Sequence, residues 1–353
     1  MLPALAENAE DYRYTVFFPN DSIDPYIPKD PRFRRESPRW RIPMLHRRGT
    51  GTLGKIFLRG FDLIHFPCND IWYSDRGKAV VNVHDLAPLH FPERFFKNKR
   101  EEARYRFHLE MVVAHATMII TQSRHSREDL LKNLRIEPER VRAIHPCNDP
   151  VFLKETQPLS PDEAKQMGID GPYFLFVGRM DFRKNLPLIF KSFSLYRQRG
   201  GRVNLVLVGE QDPSNPVYYP PIQPLLDSSG ERSYILWLRG IPDEGLPRIY
   251  AGARGLVNLS MFEGFGSPLI EAMACGTPVI AARSSSFPEI AGDAAVLVEP
   301  NEEEVAEAMK KIDGEESLRE GLIQRGKKRA NDFLPVKHGR EVLEVYRAAF
   351  LRR

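Results

Sequence analysis

Short apolar runs separated by segments of helical spacing recur along this chain, break off at a proline-rich stretch, and then begin again. The first series is Tyr14–Phe18, Phe61–Phe66, Ala79–Val83, Met118–Thr121 and Val141–Ile144. The second is Tyr173–Val177, Val203–Val208, Tyr234–Leu238, Arg254–Leu259, Val279–Ala281 and Ala295–Val298. Apolar runs of this length with helices between them are strands of a parallel sheet covered on both faces. The pattern predicts an α/β protein of two doubly wound, Rossmann-like domains, with a cleft at the carboxyl ends of both sheets where such folds bind ligands. The expected division is a first domain over 1–150, a linker over 151–171, a second domain over 172–334 and a closing helix over 335–353. Within the first domain, Arg94–His115 has helical spacing, and Ser126 with Asp129 reads as a capping box for the next helix.

A chain of 353 residues is long for one core and comfortable for two. With no run of about 18 apolar residues, no segment reads as a membrane span, and the start MLPALAEN has neither the basic opening nor the apolar core of a secretory signal. The three cysteines, Cys68, Cys147 and Cys275, are widely spaced and odd in number, which points away from a disulfide framework or a zinc site and toward the cytoplasm. The net charge of +4 does not call for nucleic acid, and no basic stretch is interleaved with stacking aromatics. The basic residues are nonetheless crowded, with Arg32, Arg34, Arg35, Arg39, Arg41, Arg47, Arg48 and Lys55 between Lys29 and Arg59. Such a segment is either a solvated loop or a surface for anionic headgroups at the inner membrane face, or for a pyrophosphate-linked acceptor.

The most informative stretch is Asn258–Pro278, NLSMFEGFGSPLIEAMACGTP. A strand enters a loop carrying Gly264 and Gly266, and Pro268 opens a helix whose first amide groups suit an anion. Glu263 and Glu271 bracket that turn in an E-x(7)-E spacing. Taken alone, Glu271 reads as a residue complementing the helix dipole, read here as lying in the first turn, or as an acceptor for ligand hydroxyls. The whole stretch resembles the corresponding region of the family-4 retaining glycosyltransferases of the GT-B fold. The resemblance implies that Glu263 faces the donor sugar, that the backbone of Gly264, Phe265 and Gly266 meets sugar and phosphate, and that Glu271 takes the ribose of a nucleotide-sugar.

A second motif, VGRMDFRKN, puts Arg179 and Lys184 around a tight turn before a helix. An isolated pair of cations is as readily a feature of the solvated surface. Here G-R-x(4)-K-N resembles the family's clamp for the donor diphosphate, where the two cations would stabilise leaving-group charge. In VNVHDLAPLHFPE, His84 stands at the end of a buried strand, where a histidine is commonly a satisfied polar residue. The resemblance implies instead that it borders the donor sugar and assists by a hydrogen bond. Asp85 beside it could orient the imidazole or cap the loop, and reads as a local structural residue. Arg239 and Gly240 match a place where backbone groups meet the nucleobase, and Glu289 matches a proline-glutamate pair that supports the site wall. Two departures stand out: HPCN at 145–148 lacks the family's glycine, and Leu334 stands where a tryptophan is frequent. The ending from Val336 resembles the GT-B helix that returns to the first domain.

These readings converge on a metal-independent retaining transferase with no cofactor other than its nucleotide-sugar substrate. It would move a hexose, mannose favoured, to a hydroxyl of a saccharide or lipid-linked acceptor. A glycosidase fits poorly, because its two carboxyl groups flank the scissile bond about 5 to 9.5 Å apart and it has no use for a diphosphate clamp. Other GT-B enzymes such as a sugar-nucleotide epimerase, or a homologue that only binds nucleotide-sugar, are the alternatives. A doubly wound domain should also open with a central strand and a glycine-rich turn. None precedes Tyr14–Phe18, and Met1–Asn8 reads as the end of a first helix. The expectation is a start upstream or a weak transferase, with Tyr14–Phe18 lacking its inner neighbour in the sheet.

Overall fold

The computed structural model describes residues 2–8, 12–17, 27–36, 60–68 and 78–352. It divides into two compact units, one of residues 1–86, 98–147 and 334–353, the other of residues 87–97 and 148–333. The sequence division is therefore displaced in two places. Residues 87–97 go with the second unit. The stretch expected as a linker, 151–171, is also part of the second unit: Phe152 and Ile169 are in its core, and helix Pro161–Gln166 opens with a capping box between Ser160 and Glu163. Pro161 is tolerated there because the first helical turn has no intrahelical acceptor for its missing N–H.

In the first unit, strands β1 (Tyr14–Phe17) and β2 (Phe33–Glu36) form a parallel pair. Strands β3 (Leu63–Phe66), β4 (Lys78–Asn82), β5 (Met118–Thr121) and β6 (Val141–Ala143) form a separate parallel sheet in sequence order. Among the described residues β1 pairs only with β2. The closing helix, Pro335–Leu351, lies in this unit, where Val342, Leu343, Val345, Tyr346 and Ala349 share a core with Leu5 of helix Leu2–Asn8 and with Val80, Met118 and Ile120. Two local expectations are corrected. Arg94–His115 is not continuous: Pro92–Phe95 ends before Asn98, whose side chain accepts from the Glu101 amide and starts helix Lys99–His115. The next helix, Arg124–Asn133, is capped by Ser123 and not Ser126, since the Ser123 hydroxyl accepts from the Ser126 amide. Of the basic cluster, Arg39, Arg41, Arg47, Arg48 and Lys55 lie outside the described residues, and Arg35 is described only as backbone.

His65 on β3 is held between Tyr346 and Asn82, with Nδ1 2.7 Å from the tyrosine hydroxyl and Nε2 2.8 Å from Asn82 Oδ1. The Asn82 oxygen can only accept, so Nε2 carries the proton and Nδ1 accepts from Tyr346. Burial depresses the imidazole pKa to about 4, against the opposing pull of the Asn82 bond. The unfolded chain therefore takes up this proton first, at its ordinary value, and stability is lost as pH falls from about 6.5 toward 4, by about 3 kcal/mol at most. His338, bonded to the His145 carbonyl at 2.8 Å and also lowered by burial, adds in the same direction. Urea melts of wild type and His65→Gln at pH 7 and 4.5 should show a smaller pH penalty in the variant.

The second unit carries six parallel strands: β7 (Tyr173–Val177), β8 (Asn204–Val208), β9 (Ile235–Leu238), β10 (Gly255–Asn258), β11 (Val279–Ala282) and β12 (Val296–Val298). Their order is β12-β11-β10-β7-β8-β9, so the chain switches direction of travel beside β7. Strands β7, β10 and β11 are wholly buried, as their unbroken apolar runs require, because helices such as Leu186–Gln198 and Glu302–Gly314 cover the sheet. Parallel strands place all six carboxyl ends along one edge. The segments leaving that edge, loops and the helices they enter, carry every site residue expected in the second domain.

Candidate active site

The loop after β10 and the helix after it hold the E-x(7)-E pair. Gly266 caps helix Ser267–Ala274 with φ 101°, and a Cβ built there would stand 2.5 Å from the Phe287 ring, so only glycine fits this turn. Glu263, Gly264 and Phe265 precede it. Three consecutive serines after β11 fasten the loop: Ser284 donates to the Ser260 carbonyl at 2.7 Å, and Ser285 accepts from the Glu263 amide at 3.0 Å. Ser286 donates to the carbonyls of Glu263 at 3.0 Å and Phe265 at 2.8 Å. Ser285 sits at φ 45°, one of two described non-glycine residues with positive φ. The other is Asn185, directly after Lys184. Strained backbone of this kind persists where surrounding bonds over-determine it. Ser285→Gly relieves the strain but removes the bond to Glu263. It should leave the melting temperature equal or higher while lowering turnover several-fold, a combination that separates positioning from mere structure.

Lys184 ends the 3-10 turn Phe182–Lys184 that follows β7, and its Nζ donates to Glu263 Oε1. Both side chains are largely buried, at 11% and 12% exposure. The diphosphate and sugar residues expected from sequence are thus brought into direct contact as an ion pair. The turn is stiffened by Asp181, which accepts from the Arg183 amide at 3.0 Å and from its guanidinium at 2.9 and 3.1 Å. Arg179 differs: it is exposed, with its guanidinium carbon 5.7 Å from the Tyr219 ring centre. On the far side, Arg239 lies 4.9 Å from the centre of the Trp237 ring, and the Gly240 amide donates to Glu210 at 2.7 Å.

Glu271 falls in the second turn of its helix, not the first as expected from sequence, because the helix begins at Ser267. The dipole reading therefore loses its force, since that effect fades beyond the first turn. Instead, Glu271 Oε2 accepts from the wholly buried Tyr250 hydroxyl at 2.8 Å. Burial raises its carboxyl to about 7 while the Tyr250 bond opposes the rise.

In the first unit, His84 follows β4, with burial lowering its pKa against the charge of Asp85 and a bond to the Pro67 backbone. Its buried Nδ1 has no hydrogen-bond partner among the described residues. Glu289 serves through its backbone: Arg329 donates to the carbonyls of Glu289 at 2.6 Å and Ile290 at 2.8 Å, tying helix Glu316–Ala330 to helix Phe287–Ala291. HPCN contains the buried Asn148, whose amide donates to the Phe333 carbonyl at 2.9 Å and whose side chain donates to the Ile270 carbonyl at 3.3 Å. Sequence reasoning missed Tyr250, Glu210 and the three serines, and gave Asn148 no role. Of the missed residues, the serine run carried a visible signal, as three small hydroxyl residues one position beyond a buried strand.

Two doubly wound parallel units with polar groups gathered at strand carboxyl ends are the GT-B architecture of glycosyltransferases. HepE from Anabaena, solved in complex with UDP and glucose, has the same fold with TM-score 0.75 at 16% identity, over 98% of this chain and 94% of that one. Two family models match in tandem, "Glycosyltransferase Family 4" over residues 3–152 and "Glycosyl transferases group 1" over residues 161–329. The chain belongs to glycosyltransferase family 4. It is 29% identical to O-antigen chain mannosyltransferase B of Escherichia coli across 72% of this chain, and 27% identical to O-antigen chain mannosyltransferase RfbU of Salmonella typhimurium across 64%. The matched region spans 66% and 57% of the length of those two relatives. No helix among the described residues is long and apolar enough to cross a membrane.

Proposed function

We propose that this protein transfers a hexose, mannose favoured, from a nucleotide-sugar to a hydroxyl of a saccharide or lipid-linked acceptor in polysaccharide assembly. The anomeric configuration is retained and no metal takes part. The observation that carries this reading is the buried Lys184–Glu263 pair, with Glu263 in the loop before helix Ser267–Ala274, the helix that carries Glu271. A donor diphosphate would draw Lys184 and Arg179, and the carboxylate left behind by Lys184 would face the sugar. Charge appearing on the leaving diphosphate is then met by fixed cations and helix amides, which need no reorganisation when the bond breaks. His84 would assist at the sugar by a hydrogen bond, and backbone near Arg239 and Gly240 would meet the base. The two mannosyltransferase relatives support the choice of sugar. A lipid-linked acceptor would bring the protein to the inner membrane face, with the basic stretch from Lys29 to Arg59 meeting headgroups.

The test is incubation with GDP-mannose, UDP-glucose and dTDP-rhamnose, with and without lipid-linked saccharide acceptors, in buffer containing EDTA. Acceptor-dependent release of nucleoside diphosphate, with an α-linked product by NMR from an α-linked donor, is the expected result. Release that needs a divalent ion, inversion at the anomeric carbon, or epimerisation of the donor without acceptor would each overturn part of the reading.

A further inference from the structure

Among the described residues, Glu271 is anchored by one oxygen only. Tyr250 belongs to helix Leu246–Gly252 and is completely buried, its ring edge-on to Phe152 with centres 5.8 Å apart and its carbonyl accepting from Thr277 at 2.6 Å. With its backbone bonded and its ring packed, the side chain puts its hydroxyl 2.8 Å from Glu271 Oε2. No hydrogen bond to Glu271 Oε1 is formed among the described residues. The geometry points to Tyr250 as a positioning residue: it takes up Oε2 so that Oε1 is held out, ionised, to accept from the vicinal hydroxyls of a ligand's ribose. This rests on the ribose role of Glu271 given above.

The charges around Glu271 show why such a partner is needed. Asp149 and Asp243 disfavour its ionised form, Lys184 favours it, and Cys275 is itself pushed up by burial and by Glu271. The phenol is the donor bonded to it among the described residues, and the largest opponent of the burial that raises the carboxyl to about 7. Loss of the hydroxyl raises the carboxyl further. Ribose recognition, which depends on the carboxylate, should then set in at higher pH. It should also weaken, because a freed carboxylate can turn away from the ligand.

The experiment is calorimetric titration of the full chain, Tyr250→Phe and Glu271→Gln with GDP and UDP and with their 2′,3′-dideoxy counterparts, from pH 5.5 to 8.5. For the nucleotide that binds, wild type should prefer the ribose form by about tenfold or more at high pH, the strength of a charge-assisted bond. Tyr250→Phe should bind the dideoxy form as wild type does, lose several-fold of the ribose preference, and show the onset of that preference at higher pH. Glu271→Gln should show little preference at any pH. Carbon-13 NMR of the Glu271 carboxyl, with no ligand present, should show its titration displaced upward in Tyr250→Phe. An unchanged preference, or equal weakening toward both nucleotide forms, overturns the positioning role while leaving the ribose role of Glu271 intact. A wild type that does not distinguish the two forms overturns the ribose role, and the inference with it.

Discussion

Lys184→Ala should reduce sugar transfer by about 100- to 1,000-fold, the scale of removing one preorganised charge-stabilising group from a transfer site. It should also destabilise the second unit by about 3 kcal/mol, because Glu263 is only 12% exposed and would keep a buried charge without its partner. The double variant Lys184→Ala/Glu263→Ala should regain most of that stability without regaining activity. Urea melts and initial rates on the four proteins of this cycle separate the two effects. The single variant Glu263→Ala should spare binding of free nucleoside diphosphate while lowering transfer, since its assigned contact is with the sugar. Equal losses of both would remove Glu263 from that role. Arginine at 184 is not a conservative rescue, because a planar fork replaces a compact ammonium beside the carboxylate.

Gly209→Ala is expected to be the most damaging change of a single small residue in the second unit. Gly209 has φ 150°, and a Cβ there would stand 1.9 Å from the Gly178 carbonyl oxygen. The obstacle is backbone and not the end of a flexible side chain, so the ends of β7 and β8 must separate. Their pairing is close at this point, with the Gly178 amide donating to the Val208 carbonyl at 3.0 Å and Trp237 Nε1 to the Gly209 carbonyl at 2.9 Å. Unfavourable φ and overpacking together give a loss of about 2 to 5 kcal/mol. Arg179 follows Gly178 directly, so diphosphate binding should weaken along with stability. Denaturant midpoints and nucleotide titrations of the variant measure both, and a wild-type midpoint would show that the two strand ends can part without cost.

Much of this was readable without coordinates, for reasons particular residues make plain. The runs YFLFV and VIAA are apolar at every position because those strands are covered on both faces, and that is legible as a property of consecutive residues. EGFG followed by proline is equally local, since the glycine conformation, the turn and the helix start are neighbours along the chain. Capping failed where two hydroxyl residues competed: Ser123 and Ser126 differ only in which one leaves the strand extended, at φ −154° and ψ 165° for Ser123. The linker reading failed for a similar reason. Prolines mark the start of helix Pro161–Gln166 as readily as a flexible join, and the burial of Phe152 and Ile169 depends on the partners they meet.

What the sequence determined by itself was therefore everything set by periodicity and by short-range stereochemistry: an α/β fold in two doubly wound halves, the anion-suited helix start, and the residue types at the site. Tertiary structure alone decided who meets whom. Lys184 reaches Glu263 across 79 positions of sequence, Tyr250 reaches Glu271 from another helix, and Ser285 reaches the Glu263 amide from the next strand's loop. Such pairings fix whether a carboxylate is charged, which of its oxygens is free, and how stiffly its loop is held. They depend on strand order, and the order β11-β10-β7-β8 brings together loops that are far apart in the chain. Periodicity marks a strand as buried, but it carries no record of the neighbour it will lie beside.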